Sequence, residues 1–259
     1  MKNESEHRMA FRSLMFQGTG SSVGKSLLTA AFCRIFKDDG FDVVPFKAQN
    51  MSLNSFVTPE GSEIGRAQAL QALAARVSPS FDMNPILIKP EADTQSQIVV
   101  KGSPWKTLAA GDYYTYREQL WDVVTSSLDR LKKEHELILI EGAGSPAEIN
   151  FAETEIVNMS VARYLDSPVI LVGNIDMGGV FAALIGTLSL LQPEQRQLIK
   201  GFIINKFRGD ELLLRPGLDQ LSELTEGRPV LGVVPFIHGL RLAEEDSVCL
   251  DEGYAPGNE

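Results

Sequence analysis

Apolar runs alternate with amphipathic stretches along almost the whole chain, the pattern of parallel strands linked by crossover helices. Residues 13–17 (SLMFQ) predict a first strand; a Gly-rich turn follows, and residues 25–37, carrying LLTAAFCRIF, predict a helix that Gly40 is placed to end. Residues 41–46 (FDVVPF) predict a second strand, followed by a polar loop over 47–62 and a helix over 63–76 rich in Ala, Gln and Leu. Between Phe81 and Trp105 the pattern weakens to two short apolar runs, MNPILIKP and SQIVVKG, whose flanking prolines suit edge strands or a small insertion over an active site. A long helix over about 112–133 comes next, then strands at 136–140, 168–172, 201–205 and 229–234, with helices near 155–165, 180–191 and 211–224. Strands this continuously apolar are buried on both faces, as in parallel sheets, so the expected fold class is α/β with a doubly wound, mostly parallel sheet flanked by helices. After Pro235 the rhythm stops. The expected organisation is an N-terminal extension over 1–12, one large α/β domain over 13–240, and an acidic linker or tail over 241–259.

Composition narrows the classes. With 259 residues, 44% hydrophobic and 22% charged, and only 22 Gly and 13 Pro, the chain is neither disordered nor collagen-like. A formal charge of -10 is the reverse of what a protein releasing counterions from nucleic-acid phosphates shows, so nucleic acid is not an expected partner. Two cysteines far apart, Cys33 and Cys249, build neither a disulfide framework nor a metal knuckle, and read as one core thiol and one near the tail. No stretch approaches the roughly 20 apolar residues of a membrane span, and residues 1–12 lack the apolar run of a secretion signal; the expected setting is the cytoplasm, with no membrane partner.

The sharpest chemical signal is Gly18-Thr19-Gly20-Ser21-Ser22-Val23-Gly24-Lys25-Ser26, directly after a strand and directly before a helix. In that setting backbone N–H groups and the positive helix end cradle phosphates, Lys25 neutralises the β/γ oxygens, and the Ser26 hydroxyl suits Mg²⁺. The expected fold is therefore P-loop NTPase-like. Five residues separate Gly18 from Gly24, one more than the usual P-loop spacing, and a dinucleotide fingerprint would need a glycine at Val23. Glu141 follows the strand ELILI at the sheet edge where such folds bind ligands, and a carboxylate beside a P-loop suits Mg²⁺. Asp176, in GNIDMGG, fits a second cation, substrate orientation or a helix cap. Lys47, just past the second strand, faces the same edge and suits a developing phosphoryl charge, or is a solvated lysine. In Asn205-Lys206-Phe207-Arg208, arginine stands where a guanine-reading NKxD pattern has Asp, which favours adenine. None of His7, His135 and His238 neighbours a nucleophile, and no cluster supplies a zinc site. What remains is phosphoryl chemistry, in which positioning and electrostatics lower most of the barrier.

Taken together, GTGSSVGKS, FKAQNMSLNS, EIGRAQALQA, MNPILIKP, IEGAGSPAEIN, GNIDMGGVFAALIGTL, GFIINKFRGD and PVLGVVPF resemble the cobyric acid synthases of the cobalamin pathway, over about residues 14–248. The likeness also places the chain in the wider dethiobiotin-synthetase-like group of P-loop proteins, whose loops share the five-residue spacing. It implies an ATP-dependent amide ligase that converts the b, d, e and g carboxylates of adenosylcobyrinic acid a,c-diamide to amides through acyl phosphates. The implied cofactors are ATP and Mg²⁺. By resemblance, residues Thr19, Gly20, Ser21, Ser22, Val23, Gly24, Lys25 and Ser26 bind nucleotide, Lys25, Lys47 and Glu141 serve catalysis, Ser26, Glu141 and Asp176 hold metal, and Asn205 reads adenine. The motifs at Gln49, Asn50, Asn54 and Lys89 place those residues towards the corrinoid, where polar side chains that only shape loops are the alternative.

The family continues into a class I glutamine amidotransferase domain with a Cys nucleophile in a glycine elbow, whereas Cys249 has neither elbow nor downstream histidine. The expectation is that ammonia comes free or from a separate glutaminase. A homodimer is one assembly the sequence leaves open. The competing reading is a switch ATPase of the partitioning type acting through nucleotide-dependent dimerisation; its extra lysine early in the loop is missing from Thr19-Gly20-Ser21. A third is a homologue that binds nucleotide without turnover.

Overall fold

Strand β1 (Arg12–Gly18), helix α1 (Lys25–Asp38), strand β2 (Val43–Phe46) and the short strands β3 (Gln49–Met51), β4 (Ser55–Val57) and β5 (Glu63–Gly65) open the chain, ahead of helix α2 (Arg66–Ala75). Strands β6 (Ile86–Ala92), β7 (Gln95–Val100) and β8 (Ser103–Ala109) follow, then helix α3 (Arg117–Glu134), strand β9 (Leu137–Glu141) and helix α4 (Met159–Tyr164). The chain goes on through β10 (Val169–Asn174), α5 (Val180–Leu190), the short α6 (Pro193–Arg196), β11 (Ile199–Phe207), α7 (Glu211–Leu224) and β12 (Val230–Pro235). This computed structural model describes residues 11–92, 95–109, 111–151 and 154–240. The tail expected over 241–259, with Cys249, and nearly all of the expected N-terminal extension lie outside the described residues; Arg12, assigned to that extension, is the first residue of β1.

Six strands form one sheet in the order β12-β11-β10-β1-β9-β2, every neighbouring pair parallel. Period-2 alternation decides which helix covers which face. Met15, Val44, Ile138, Ile140, Val169, Leu171 and Phe202 point to the face covered by α3, α4, α5 and α7. Their neighbours Phe16, Ile170 and Val172 meet Leu28 of α1, while Val43, Leu137 and Leu139 meet Cys33 of α1 and Ala75 of α2. Both faces are therefore dry, as the uninterrupted apolar strands required. Cys33 is fully buried, and burial first, with the nearby Glu141 charge second, pushes its thiol up to about 12, so it is an unreactive core residue.

The region where the sequence pattern weakened holds the main departure. The expected polar loop over 47–62 contains β3 and β4, and β3 pairs in parallel with β6 to build a second sheet, β3-β6-β7-β8, beside the first. MNPILIKP and SQIVVKG are thus strands, but β6 and β7 are the two inner strands of this sheet and not the edge strands expected, and β8 was not anticipated because SPWKTLA carries a proline at its second position and is half exposed. Lys101 (φ +49°) and Gly102 (φ +76°) form the two-residue turn joining β7 to β8, with Val100 opposite Ser103. The expected helix over 63–76 begins three residues late because β5 pairs with β4 first.

Candidate functional site

The first βα turn lies at the C-terminal end of β1, the central position from which the chain crosses towards β2 on one side and β10 on the other. Ligands of open parallel sheets bind in such a crevice. The turn from Gly18 to Gly24 closes tightly on itself: a Cβ on Gly18 would lie 2.5 Å from Val23 Cγ2 and 2.9 Å from Lys25 Nζ. Gly24 has φ +100°, and a Cβ there would sit 2.1 Å from Asn205 Nδ2. Gly24→Ala therefore combines a left-handed backbone with a steric clash. The expected cost is about 1–3 kcal/mol, lowering the thermal midpoint by roughly 2–4 °C per kcal/mol and weakening phosphate binding. Calorimetric unfolding and nucleotide titration check both effects.

Lys25 opens α1 and is buried, its Nζ donating to Gly20 O at 2.8 Å and to Gly144 O at 3.2 Å. The loop carbonyls thus hold the ammonium over the loop and against the segment after β9. That segment is itself braced: Gly142 N donates to Phe16 O at 2.9 Å, Ala143 N donates to Asn158 Oδ1 at 3.1 Å, and Asn158 Nδ2 donates back to Ala143 O at 2.7 Å. Glu155 in turn caps the start of α4, accepting from the Val157, Asn158 and Ser160 amides.

Glu141, the last residue of β9, stands opposite Phe16 in the parallel register and is 1% exposed. Its Oε1 accepts from Ser26 Oγ at 2.7 Å and from Lys47 Nζ at 2.8 Å. Its Oε2 accepts from Gln71 Nε2 at 2.5 Å and Gln68 Nε2 at 3.4 Å. Burial alone would raise this carboxyl, but the Lys47 ammonium and the hydrogen bonds from Lys47, Ser26 and Gln71 hold it below its ordinary value. Lys47 is 8% exposed, and its backbone is pinned on both sides, Lys47 N donating to Met83 O at 2.8 Å and Asn84 Nδ2 donating to Lys47 O at 3.1 Å. Solvated charge, the alternative for this lysine, is excluded by that burial. The same Asn84 accepts from Gly65 N at 2.9 Å, tying the start of α2 to the junction of the two sheets.

Lys25, Ser26, Lys47 and Glu141 are thus brought together. Asp176 is not: its Oδ1 accepts from Arg208 Nε at 2.9 Å, beyond β10, and Arg208 lies 3.4 Å over the Phe236 ring. Asp176, expected to hold metal with Ser26 and Glu141, is thus paired with Arg208 on the other side of β1 from Glu141. Asn205 is 4% exposed and its Nδ2 donates to Val23 O at 2.8 Å. That bond uses one of the two Nδ2 hydrogens and ties Asn205 to the phosphate loop; the adenine reading expected of Asn205 is compatible with it. Of the expected corrinoid-facing residues, Gln49 accepts from the Tyr113 hydroxyl, Lys89 pairs with Glu63, Asn50 is buried with Oδ1 accepting from Met51 N at 3.0 Å, and Asn54 is exposed. Gln68, Gln71 and Asn158 were missed as site residues. The signal for two of them was present in EIGRAQALQA, where glutamines three apart share a helix face in an otherwise Ala- and Leu-rich stretch.

Ser26 Oγ and Glu141 Oε1 are hard oxygen donors in contact, the kind that hold Mg²⁺ together with nucleotide phosphates. Among the described residues no group of three or more His, Cys, Asp or Glu could hold a metal by itself, so a cation beside Ser26 and Glu141 would take its remaining ligands from phosphate oxygens and water. A separate cavity of about 500 Å³ lies beside the segment after β9, lined by Pro146, Ile149, Met159, Arg163, Leu191 and Gln195, and does not include Lys25 or Glu141. No described helix is long and apolar enough to cross a membrane.

Residues 14–248 match the family model described as the CobQ/CobB/MinD/ParA nucleotide binding domain. A protein named cobyric acid synthase from Sorangium cellulosum is 59% identical over 243 residues, 94% of this chain and 46% of that protein. Another of that name, from Desulforudis audaxviator, is 55% identical over 249 residues, 96% of this chain and 50% of its own length. The chain spans about half the length of the curated relatives it matches. Among solved structures, the cell division protein FtsY of Thermotoga maritima is 16% identical with a TM-score of 0.48, covering 89% of this chain and 64% of that one.

Proposed function

The chain belongs to the CobQ/CobB/MinD/ParA nucleotide-binding family, and from that premise we propose that it carries the ATP-dependent amidation step of a cobyric acid synthase. The observation that carries this reading is the identity of 59% to a cobyric acid synthase along 94% of the chain, with the charged cluster at the sheet edge in support. In the proposed reaction a peripheral carboxylate of a cobyrinic acid a,c-diamide attacks the γ-phosphorus of ATP, ADP departs, and ammonia displaces phosphate from the acyl phosphate to leave an amide. Mg²⁺ held at Ser26 and Glu141 would neutralise charge on the phosphates. Lys25, at the mouth of the loop, steadies the transferring phosphoryl oxygens, and Lys47 balances Glu141 so that this edge is not repulsive to an anionic nucleotide. No side chain of this cluster is placed as a nucleophile, which suits a reaction whose nucleophile belongs to the substrate. Gln49, Asn54 and Lys89, each at least partly exposed, are proposed to meet the corrinoid, together with the buried Asn50. Ammonia is proposed to come free or from a glutaminase.

The test is ADP release with MgATP, cobyrinic acid a,c-diamide and ammonia at raised pH, followed by mass analysis of the corrinoid. Corrinoid-dependent ADP formation with conversion of carboxylates to amides is expected. ATP turnover indifferent to the corrinoid, or dimerisation driven by ATP with no amidation, rejects the reading.

A further inference from the structure

The two oxygens of Glu141 are engaged from different elements: Oε1 by Ser26 of α1 and by Lys47, one residue past β2, and Oε2 by one face of α2. The α2 donors are amides. Gln68 and Gln71 are fully buried, three apart on the helix, and each turns its Nε2 to the same oxygen. Gln71 Nε2 also reaches Ser26 O at 3.3 Å, so one side chain touches both residues that offer oxygen to a cation. The opposite atoms, Gln68 Oε1 and Gln71 Oε1, are buried with no hydrogen-bond partner among the described residues. An orphaned buried carbonyl is costly, so this arrangement is held by what the amide N–H groups achieve on the other side.

We propose that Gln71, assisted by Gln68, is a positioning residue that fixes the rotation of the Glu141 carboxylate, tying down Oε2 so that Oε1 alone is presented beside the Ser26 hydroxyl. The inference rests on the reading of this cluster as a nucleotide and Mg²⁺ site. Neutral donors suit the task for an electrostatic reason. Lys47 already balances the carboxylate, and a second cation at Oε2 would leave the pair net positive and repel a divalent ion. An amide restricts rotation without changing the charge. Without it, Oε2 would be free to swing towards Lys47, and both oxygens would compete for one ammonium.

The experiment is a titration of Mg²⁺ at fixed fluorescent ATP analogue, read as nucleotide binding and independent of turnover, with nucleotide affinity also measured in EDTA. Gln71→Met keeps the length of the side chain and removes both donors. Loss of one charge-assisted hydrogen bond corresponds to about a tenfold higher Mg²⁺ requirement, with affinity in EDTA within about twofold of the parent and recovery in neither salt nor osmolyte. An unchanged Mg²⁺ requirement overturns the proposal while leaving the nucleotide-site reading intact. An equal loss in EDTA and in Mg²⁺ also overturns it, since that marks a general packing defect. If the parent protein binds the nucleotide with no Mg²⁺ dependence at all, the cation-site reading falls and this inference with it. Should Gln71→Met fail to fold, Gln68→Met reads the same quantity through the longer contact, with about a threefold increase expected and no increase overturning the proposal.

Discussion

Lys47→Met is expected to destabilise the protein by about 3–5 kcal/mol, because it leaves the Glu141 carboxylate charged in an interior from which its counter-ion has gone. The pair is nearly dry, with side-chain exposures of 10% and 1%. The pH dependence gives the effect a signature. In the parent, burial would raise the Glu141 carboxyl, but Lys47, Ser26 and Gln71 together hold it below the ordinary value of 4.5. A carboxyl depressed on folding contributes stability that is fully present above its unfolded value and is lost as pH falls through the folded one. In the variant the attraction is gone and the burial remains, so the carboxyl moves to the other side of its unfolded value. Its penalty then applies at neutral pH and is relieved as pH falls and the group takes up a proton. Urea unfolding at pH 7 and at about pH 5 is therefore expected to show the gap between parent and variant narrowing in acid. A gap that stays constant would mean that Glu141 is not the group that Lys47 neutralises.

Lys25→Ala is expected to lower MgATP affinity by about 100-fold or more, and any ATP turnover by about a thousandfold, since charge-assisted contacts to phosphate are among the strong hydrogen bonds and act most on developing charge. The loop itself should survive. Alanine is a good first residue for α1, and the shape of the turn rests on Gly18, Gly24 and the Asn205 clamp, none of which needs the ammonium. Isothermal titration with MgATP, beside a thermal midpoint that stays within a few degrees of the parent, separates lost phosphate binding from unfolding. Unaltered affinity would remove Lys25 from the phosphate site.

The contrast between those two lysines shows how much was legible before the structure. Lys25 sits inside a contiguous pattern, strand then glycine turn then helix, so its role follows from neighbours within ten residues. Lys47 has no such local context. Its partner Glu141 is 94 positions away, and a lone lysine after a strand reads equally well as solvated charge. Asp176 reads much as Glu141 does, following a strand and preceding glycines, and only the order of strands in the sheet puts β1 between the two acids, with Asp176 paired to Arg208. Asn205 was expected to read adenine, and the sequence carries no sign that its amide reaches back 182 residues to Val23 O.

By itself, the order of residues determined the parallel sheet, the helices between its strands and the phosphate turn, because apolar continuity, helical periodicity and glycine placement act over a few residues at a time. Tertiary structure alone decided that polar residues from 47–62 pair into strands, that β3 joins β6 in a second sheet, and that Ser26, Lys47, Gln68 and Gln71 converge on one buried carboxylate. The physical reason is that a buried charge must be matched by donors wherever the fold delivers them, and delivery depends on strand order and helix docking, which no local pattern encodes.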